Sequence, residues 1–153
     1  MTVYSSLLSL PLNFVVETIV GGVMNKLNIK CLISGVETEE KVSVFEEVVA
    51  PDSGPPLHLH ENQFEIFHVI VGHVKFELGG KRIDVFPGGA VVIPPGKAHA
   101  FINKSKEESI IHFELLPSGA SESFFQKLVS GKFDDLSKLF EEHGVKLLGP
   151  PIQ

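Results

Sequence analysis

The sequence predicts a single all-β domain, an antiparallel sandwich or barrel, followed by two short helices. Its 153 residues suit one domain with a sizeable hydrophobic core. From residue 27 to residue 117, short apolar or alternating runs are separated by turn residues, which is the pattern of antiparallel sheets. Beyond that point the apolar residues recur at helical spacing. We therefore divide the domain into an N-terminal arm (1–26), a β core (27–117) and helices with a tail (118–153).

Eight runs in the β core are predicted to be strands. They are Leu27–Ser34, Val42–Val49, Phe64–Val71, Val74–Leu78, Lys81–Phe86, Ala90–Ile93, Lys97–Ile102 and Ser109–Leu116. Gly79 and Gly80 lie between two of these runs and predict a tight hairpin turn. In the arm, the β-branched residues between Phe14 and Val20 predict a further strand. That strand is expected to pair with a second subunit in a homodimer, and the alternative is that it folds back on its own sheet.

Two helices are predicted after the β core. The first is expected to begin with Ser121 as its N-cap and to present Phe124, Phe125 and Leu128 on one face. The second is expected to end at Gly144, in the C-cap position. Both are expected to pack on the outside of the β domain without taking part in its chemistry.

Composition and charge narrow the classes of function. The net charge of -6 comes from acidic residues spread along the chain, which disfavours nucleic acid as a partner. The single Cys31 cannot form an intrachain disulfide. The first 25 residues contain no Lys or Arg, unlike a secretory signal, and polar residues interrupt them too often for a membrane span. A cytoplasmic protein is expected, with Met24 as an alternative start to Met1.

Four ligand-type side chains form the most informative pattern in the chain. His58 and His60 are one residue apart, which places both on one face of an extended strand. Glu65 returns to that face after a short turn, and His99 follows a Pro-Pro-Gly turn. A lone His-x-His is a weak signal, because half-buried strands often carry histidines for packing. The presence of Glu65 on the same face, and of His99 after a Pro-Pro-Gly turn, favours a metal site.

The donor set indicates the type of metal. Three neutral imidazoles and one carboxylate suit one divalent Fe, Mn, Co, Ni, Cu or Zn ion rather than Ca or Mg, which prefer oxygen ligands. Four protein ligands leave coordination positions for water or substrate, as in catalytic sites. No cysteine cluster is present, which argues against a structural zinc site. The sequence does not identify the metal.

The stretch Gly54–Glu65, closed by Gly72, and the stretch Gly88–Asn103 resemble the two signature motifs of the cupin superfamily. The resemblance implies a small jelly-roll β-barrel with the metal inside one end, held by the three histidines and the glutamate. The order of elements is similar to that of single-domain bacterial cupins often compared with quercetin dioxygenase. The superfamily also contains isomerases, epimerases, decarboxylases and binding proteins, so the motifs leave the reaction open.

Phenylalanines are expected to line a cavity next to the metal. Strand alternation places Phe67 and Phe101 on the same faces as the ligand residues, and Phe76 and Phe113 are expected to reach the cavity from neighbouring strands. Such a chamber suits a flat aromatic or otherwise hydrophobic substrate. The alternative is that these rings simply fill the barrel interior. Arg82 is the only arginine, which disfavours phosphorylated or nucleotide-linked substrates.

The first hypothesis for function is a metal-dependent oxidoreductase resembling quercetin dioxygenase. It would act on a small, aromatic or enol-containing substrate. Glu65 would serve both as a metal ligand and as the catalytic base. The alternatives are a cupin that binds a small molecule without turnover and a metal-dependent isomerase or decarboxylase.

Overall fold

The computed structural model describes the backbone of residues 13–20 and 23–153 and the side chains from residue 27 onward. The described chain forms eleven strands and two helices. The strands are β1 Asn13–Val20, β2 Val23–Ile33, β3 Ser43–Val49, β4 Pro56–His60, β5 Phe64–Val71, β6 Val74–Leu78, β7 Lys81–Val85, β8 Ala90–Ile93, β9 His99–Asn103, β10 Ser109–Leu116 and β11 Val145–Pro151. The helices are α1 Ser121–Ser130 and α2 Leu136–Glu142.

The strands form two antiparallel sheets. One has six strands in the order β1-β2-β3-β10-β5-β8, and the other has five in the order β11-β4-β9-β6-β7. The prediction of a mostly β fold with two antiparallel layers is confirmed. In the described part of the chain no strand ladder joins the two sheets, so the hydrogen bonding does not close them into a barrel.

Aromatic side chains fill the space between the sheets. Phe45 on β3 is 0% exposed and stacks on Phe113 of β10, with ring centroids 5.1 Å apart. Phe67 on β5 continues this cluster and contacts Phe76 and Phe101 of the opposite sheet at 5.2 and 5.5 Å. Edge-to-face and offset aromatic contacts of this kind add to the stabilisation from burial alone. The aromatic core therefore holds the two sheets together.

Alternation along β5 predicts that Val71 faces inward, and this prediction is wrong. Val69 is 1% exposed, whereas Val71 is 45% exposed. The register between β10 and β5 shifts between Ile110 and Ile111, because Ile110 pairs with Val71 and Ile111 with Val69. An irregularity of this kind interrupts the period-2 pattern, so the alternation of side chains along β5 no longer predicts the direction of Val71.

The helix ends follow local capping chemistry. Helix α1 begins one residue earlier than expected, because Ala120 is the capping residue and Ser121 is already helical. The Ser121 hydroxyl instead donates to the carbonyl of Ser118. At the start of α2, the Asp135 carboxylate accepts a hydrogen bond from the backbone N–H of Lys138 at 3.1 Å. The Asp135 side chain thus satisfies a backbone N–H that α2 leaves unpaired, whereas α1 has no side-chain cap.

The helices do more than cover the β domain. Phe125 of α1 reaches Phe45 with ring centroids 4.8 Å apart, and Phe124 contacts Phe140 of α2 at 5.0 Å. Phe140 in turn lies edge-on to His58 at 6.3 Å. Helix α2 therefore contacts a residue of the predicted metal site, while the expectation that the helices take no part in the chemistry stays a prediction. None of the helices in the described residues is long and apolar enough to cross a membrane.

Strand β1 pairs with β2 of the same chain. The antiparallel register runs from Asn13 opposite Lys30 to Val20 opposite Val23. This is the fold-back arrangement named above as the alternative to strand exchange. Side chains of this segment lie outside the described residues, and the homodimer stays a prediction. Strand β11, which pairs with β4, was not predicted from the sequence.

Candidate metal centre

The four predicted ligand residues come together from both sheets. His58 and His60 lie on β4 and His99 on β9 of the five-stranded sheet, whereas Glu65 lies on β5 of the six-stranded sheet. One potential ligand atom from each residue lies within 4.8 Å of all the others. All four side chains are buried, with exposures between 1% and 8%. The fold therefore assembles the cluster of three histidines and one glutamate that the sequence spacing indicates.

Backbone and side-chain oxygens orient the three imidazoles. Nδ1 of His58 lies 2.7 Å from the carbonyl oxygen of Pro56, and Nδ1 of His99 lies 2.9 Å from that of Lys97. Nδ1 of His60 lies 3.3 Å from Oε1 of Gln63. An oxygen acceptor requires the proton on Nδ1, which leaves the Nε2 lone pair available for a metal. The three Nε2 atoms are thus prepared as ligand atoms.

The contacts within the cluster favour a cation at its centre. Nε2 of His99 lies 2.9 Å from Oε2 of Glu65, and Nε2 of His60 lies 3.1 Å from the same oxygen. The His60 contact is too poorly aligned for a hydrogen bond, so this buried nitrogen has no hydrogen-bond partner among the described residues. Nitrogen lone pairs and a carboxylate oxygen repel at these distances unless a proton or a metal ion lies between them. The cluster fits one divalent transition metal.

The electrostatics give His58 and Glu65 the protonation states that metal ligands need. Burial, together with the neighbouring His99, lowers the pKa of His58 to about 3. Burial alone would raise the pKa of Glu65, but the charges of His60 and His99 and the hydrogen bond from His99 outweigh it and hold this pKa well below its usual range. Glu65 likewise outweighs burial at His60 and raises its pKa. A neutral His58 and an ionised Glu65 result near neutral pH.

Gln63 connects the cluster to helix α1. While its Oε1 faces His60, its amide nitrogen donates to the carbonyls of Pro117 and Ser118 at 2.8 and 3.1 Å and to Oγ of Ser121 at 3.0 Å. These acceptors fix the orientation of the amide, because only its nitrogen can donate to a carbonyl. Gln63 is a residue that the sequence analysis did not single out.

A cavity of about 720 Å³ opens onto the cluster. His58, His60 and Glu65 line it, whereas His99 is 1% exposed and lies behind them. Its walls are mainly apolar and include six phenylalanines: Phe67, Phe101, Phe113, Phe124, Phe125 and Phe140. A large apolar cavity with a few polar groups at one point is the usual form of a small-molecule site.

Three of the four phenylalanines expected at the cavity line it. Phe76 does not, because it is 0% exposed and packs against Phe67 and Phe101, at ring-centroid distances of 5.2 and 5.6 Å. It supports the wall from the core. The helix residues Phe124, Phe125 and Phe140 were missed, because helical periodicity identifies an apolar face without showing what that face contacts.

Glu47 on β3 is a further cavity residue that was missed. The buried residues of β3 are Ser43, Phe45 and Val49, so a period of two places Glu47 on the same inward face. Strand alternation could therefore have revealed it. A carboxyl group at an inward position of a strand is unusual enough to mark a candidate functional residue.

Comparison with known proteins agrees with this architecture. Residues 45–113 match a family described as "Cupin domain". A probable oxidoreductase, virH, of Hypocrea virens is 32% identical over 80 residues, which cover 50% of this chain and 36% of that protein. An oxalate-binding protein of Thermotoga maritima is 29% identical over 73 residues, covering 47% of this chain and 60% of the relative. This chain thus spans less than two thirds of either relative.

A solved structure shares the fold. The crystal structure described as "a predicted oxalate decarboxylase" from Thermotoga maritima superposes with a TM-score of 0.59 and 21% sequence identity, covering 61% of this chain and 83% of that one. At this identity the similarity concerns the fold alone. Residues 45–113 are thus similar to a cupin domain, and the chain shares the fold of this solved structure.

Proposed function

We propose that His58, His60, Glu65 and His99 hold one divalent transition metal and that the chain is a metal-dependent oxidoreductase of the dioxygenase type. The observation that carries this proposal is the position of the cluster. Three oriented Nε2 atoms and an ionised carboxylate converge at the wall of a large apolar cavity. A structural metal site needs no such opening, whereas a catalytic site requires access for a substrate.

The chain's own residues bind and orient the substrate. When bound, the metal would supply Lewis acidity and a coordination position open to the cavity. The carboxylate of Glu65 would accept the proton of a substrate hydroxyl group, since it is ionised and faces the same cavity. The phenylalanine walls would hold a flat ring and exclude water from the reacting atoms.

The cavity favours an aromatic or enol-containing substrate over a small dianion. One relative is named an oxalate-binding protein. A bound metal would supply one cationic partner for oxalate, but Lys104 is the only Lys or Arg among the described residues that line the cavity, so no further cationic side chain is free to balance the dianion. The ammonium group of Lys104 pairs with Asp52 at 3.1 Å. We therefore place an apolar, oxygen-bearing substrate in this cavity.

A binding protein without turnover is the second candidate, and the name of the Thermotoga maritima relative favours it. The two functions share the cavity and the metal but differ in oxygen consumption. Oxygen uptake also separates a dioxygenase from a metal-dependent isomerase or decarboxylase, because neither of those reactions consumes O2.

The first experiment is metal analysis of the protein purified without chelator. We expect about one equivalent of a transition metal per chain, which His58→Ala abolishes. His68→Ala is the matched control, because the His68 side chain is 44% exposed and pairs with Glu114 away from the cluster. A chain that stays metal-free after incubation with each divalent ion would contradict the proposed site.

The second experiment measures oxygen uptake by the loaded protein with flavonols and related enols. We expect uptake that depends on substrate and falls to background in Glu65→Gln. Saturable binding with no oxygen uptake would contradict the enzyme hypothesis and favour a binding protein. Turnover without oxygen uptake would contradict the dioxygenase hypothesis and favour an isomerase or decarboxylase.

A further inference from the structure

Glu47 is an acidic residue in an apolar wall of the cavity. Its partners in the strand register are Ile29 of β2 and Ile111 of β10, which are 2% and 0% exposed. Along its own strand, Phe45 and Val49 occupy the neighbouring inward positions and are 0% and 3% exposed. Glu47 itself is half-buried and lines the cavity. Its carboxyl group is therefore surrounded by hydrocarbon and faces the cavity.

The Glu47 carboxyl group makes no hydrogen bond or ion pair with any residue that the structure describes. The preceding residue, Glu46, points to the other face of β3 and pairs with Nε2 of His112 at 2.9 Å. The two consecutive glutamates thus differ in a simple way: within the described chain, the outer one has a partner and the inner one has none. A polar group at such a position is costly unless a bound molecule supplies its hydrogen bond.

Glu47 and the metal cluster occupy different parts of the same cavity. Strand β10 separates β3 from β5, and Glu47 aligns through Ile111 with Val69, which is four residues along β5 from Glu65. The two carboxyl groups, both within the described residues, are not joined by a hydrogen bond. A ligand that reaches both must therefore be extended and must carry a polar group at each end.

The surroundings of Glu47 favour its neutral form. Burial, together with the negative charge of Glu65, raises the pKa of Glu47 to about 8. The other titratable side chains that line the cavity are Asp52, His58, His60 and Lys104, whereas the adjacent strands β2 and β10 present isoleucines. A neutral carboxylic acid can donate a hydrogen bond, which an ionised carboxylate cannot.

We propose that Glu47 is a specificity-determining residue that donates a hydrogen bond to a neutral oxygen of the ligand, at the end away from the metal cluster. The ligand class is an extended, largely apolar molecule with a metal-binding oxygen group at one end and a carbonyl, ether or hydroxyl oxygen at the other. The metal-binding end rests on the proposed function, whereas the role of Glu47 rests on its own position in the cavity wall.

The test compares two probes of the same shape, indan-1-one and indane, which differ by one carbonyl oxygen. Their affinities for the full chain loaded with one equivalent of zinc are measured by calorimetry, because zinc does not activate oxygen. We expect the wild type to prefer indan-1-one by roughly fivefold, the effect of one hydrogen bond. Glu47→Leu should lose this preference, and Glu47→Gln should keep it through its amide donor. Glu46→Gln, the matched control, should behave as the wild type.

Dependence on pH distinguishes the acid from other donors. The wild-type preference should fall as the pH rises through the raised pKa of Glu47, about 8, because the donor proton is then lost. The preference of Glu47→Gln should not change over this range, since an amide does not titrate there.

The proposal is overturned if Glu47→Leu keeps the wild-type preference, if the wild type binds the two probes equally, or if indan-1-one does not bind. Zinc content measured on the same samples reports separately on the metal cluster. A protein with one zinc and no role for Glu47 would overturn this inference alone, and a protein without zinc would overturn the proposed function.

Discussion

Nδ1 of His60 lies 3.3 Å from Oε1 of Gln63, and the amide nitrogen of Gln63 is held by the residues that lead into helix α1. The orientation of a metal-ligand imidazole thus depends on the position of a helix that the sequence places more than fifty residues later. Such outer partners of ligand histidines contribute to metal affinity because they fix the ring and its tautomer.

Replacement of Gln63 should therefore weaken metal binding without preventing folding. We expect Gln63→Ala to lower zinc affinity by about 10- to 100-fold, measured by competition with a chelating dye. Asn62→Ala is the control, because Asn62 is exposed and is not one of the residues that hold the cluster. Equal zinc affinities of the two variants would contradict the role of Gln63.

Phe125 should stabilise the domain as well as line the cavity. Its ring contacts Phe45 and Phe113 at 4.8 and 5.4 Å and is buried. We expect Phe125→Ala to lower the free energy of unfolding by about 3–5 kcal/mol, as for other buried phenylalanines. In urea titrations, Phe64→Ala should cost far less, because Phe64 is 47% exposed. Similar losses for both variants would show that α1 is not part of the core.

Asn103 should be essential to the loops beside β9. It is 0% exposed, and its amide nitrogen donates to the carbonyls of Val49 and Glu107, both at 2.9 Å. Its amide oxygen accepts from the backbone N–H of Ser105 at 2.8 Å and from Oγ of Ser109 at 2.7 Å. Removing these partners leaves buried polar groups unsatisfied.

We expect Asn103→Ala to reduce the free energy of unfolding by about 1–3 kcal/mol for each buried group left without a partner. The isosteric Asn103→Asp should also destabilise, because it replaces the two amide donors by an acceptor facing carbonyl oxygens. The control is Ser53→Ala, which removes an exposed hydrogen bond to the Pro51 carbonyl. A wild-type unfolding curve for Asn103→Asp would contradict this account.

Glu47 should make the fold less stable as the pH rises. Its pKa is about 8 in the folded protein and returns to its ordinary value of 4.5 on unfolding, so between these values the folded state holds the extra proton. The free energy of unfolding should therefore decrease with pH in this window, by at most about 1.4 kcal/mol per pH unit. The fall should be smaller in Glu47→Gln. Parallel pH profiles of the two proteins, measured by urea unfolding, would show that Glu47 is ionised throughout.

The sequence predicts the convergence of the three histidines and the glutamate well, because the information for it is local. The parity of His58 and His60 and the turn before His99 place these side chains without any knowledge of the whole fold. Period-2 patterns likewise identify most strands of the β core. The errors occur where a contact between distant parts of the chain determines the local structure. A register shift between β10 and β5 turns Val71 outward, and β11 forms a strand by pairing with β4.

The composition of the cavity was less predictable than the cluster. An apolar helix face at Phe124 and Phe125 is visible in the sequence, but its contact with the aromatic core depends on how α1 docks. Glu47 is different, since the alternation along β3 predicts directly from the sequence that its side chain faces inward. That it lies among apolar neighbours is known only from the register, which places Ile29 and Ile111 beside it. Residues of this kind become interpretable once the register is known.

The division of the ligand residues between the two sheets has a mechanical consequence. Three imidazoles belong to one layer and the carboxylate to the other, so a cation bound by all four acts as a cross-link through the end of the sandwich. With such a cation bound, any opening of the layers at this end would break a metal–ligand bond. Since an ion that binds only the folded state stabilises it by mass action, the proposed metal would make the resistance of this domain to heat and proteolysis depend on how much metal its surroundings supply.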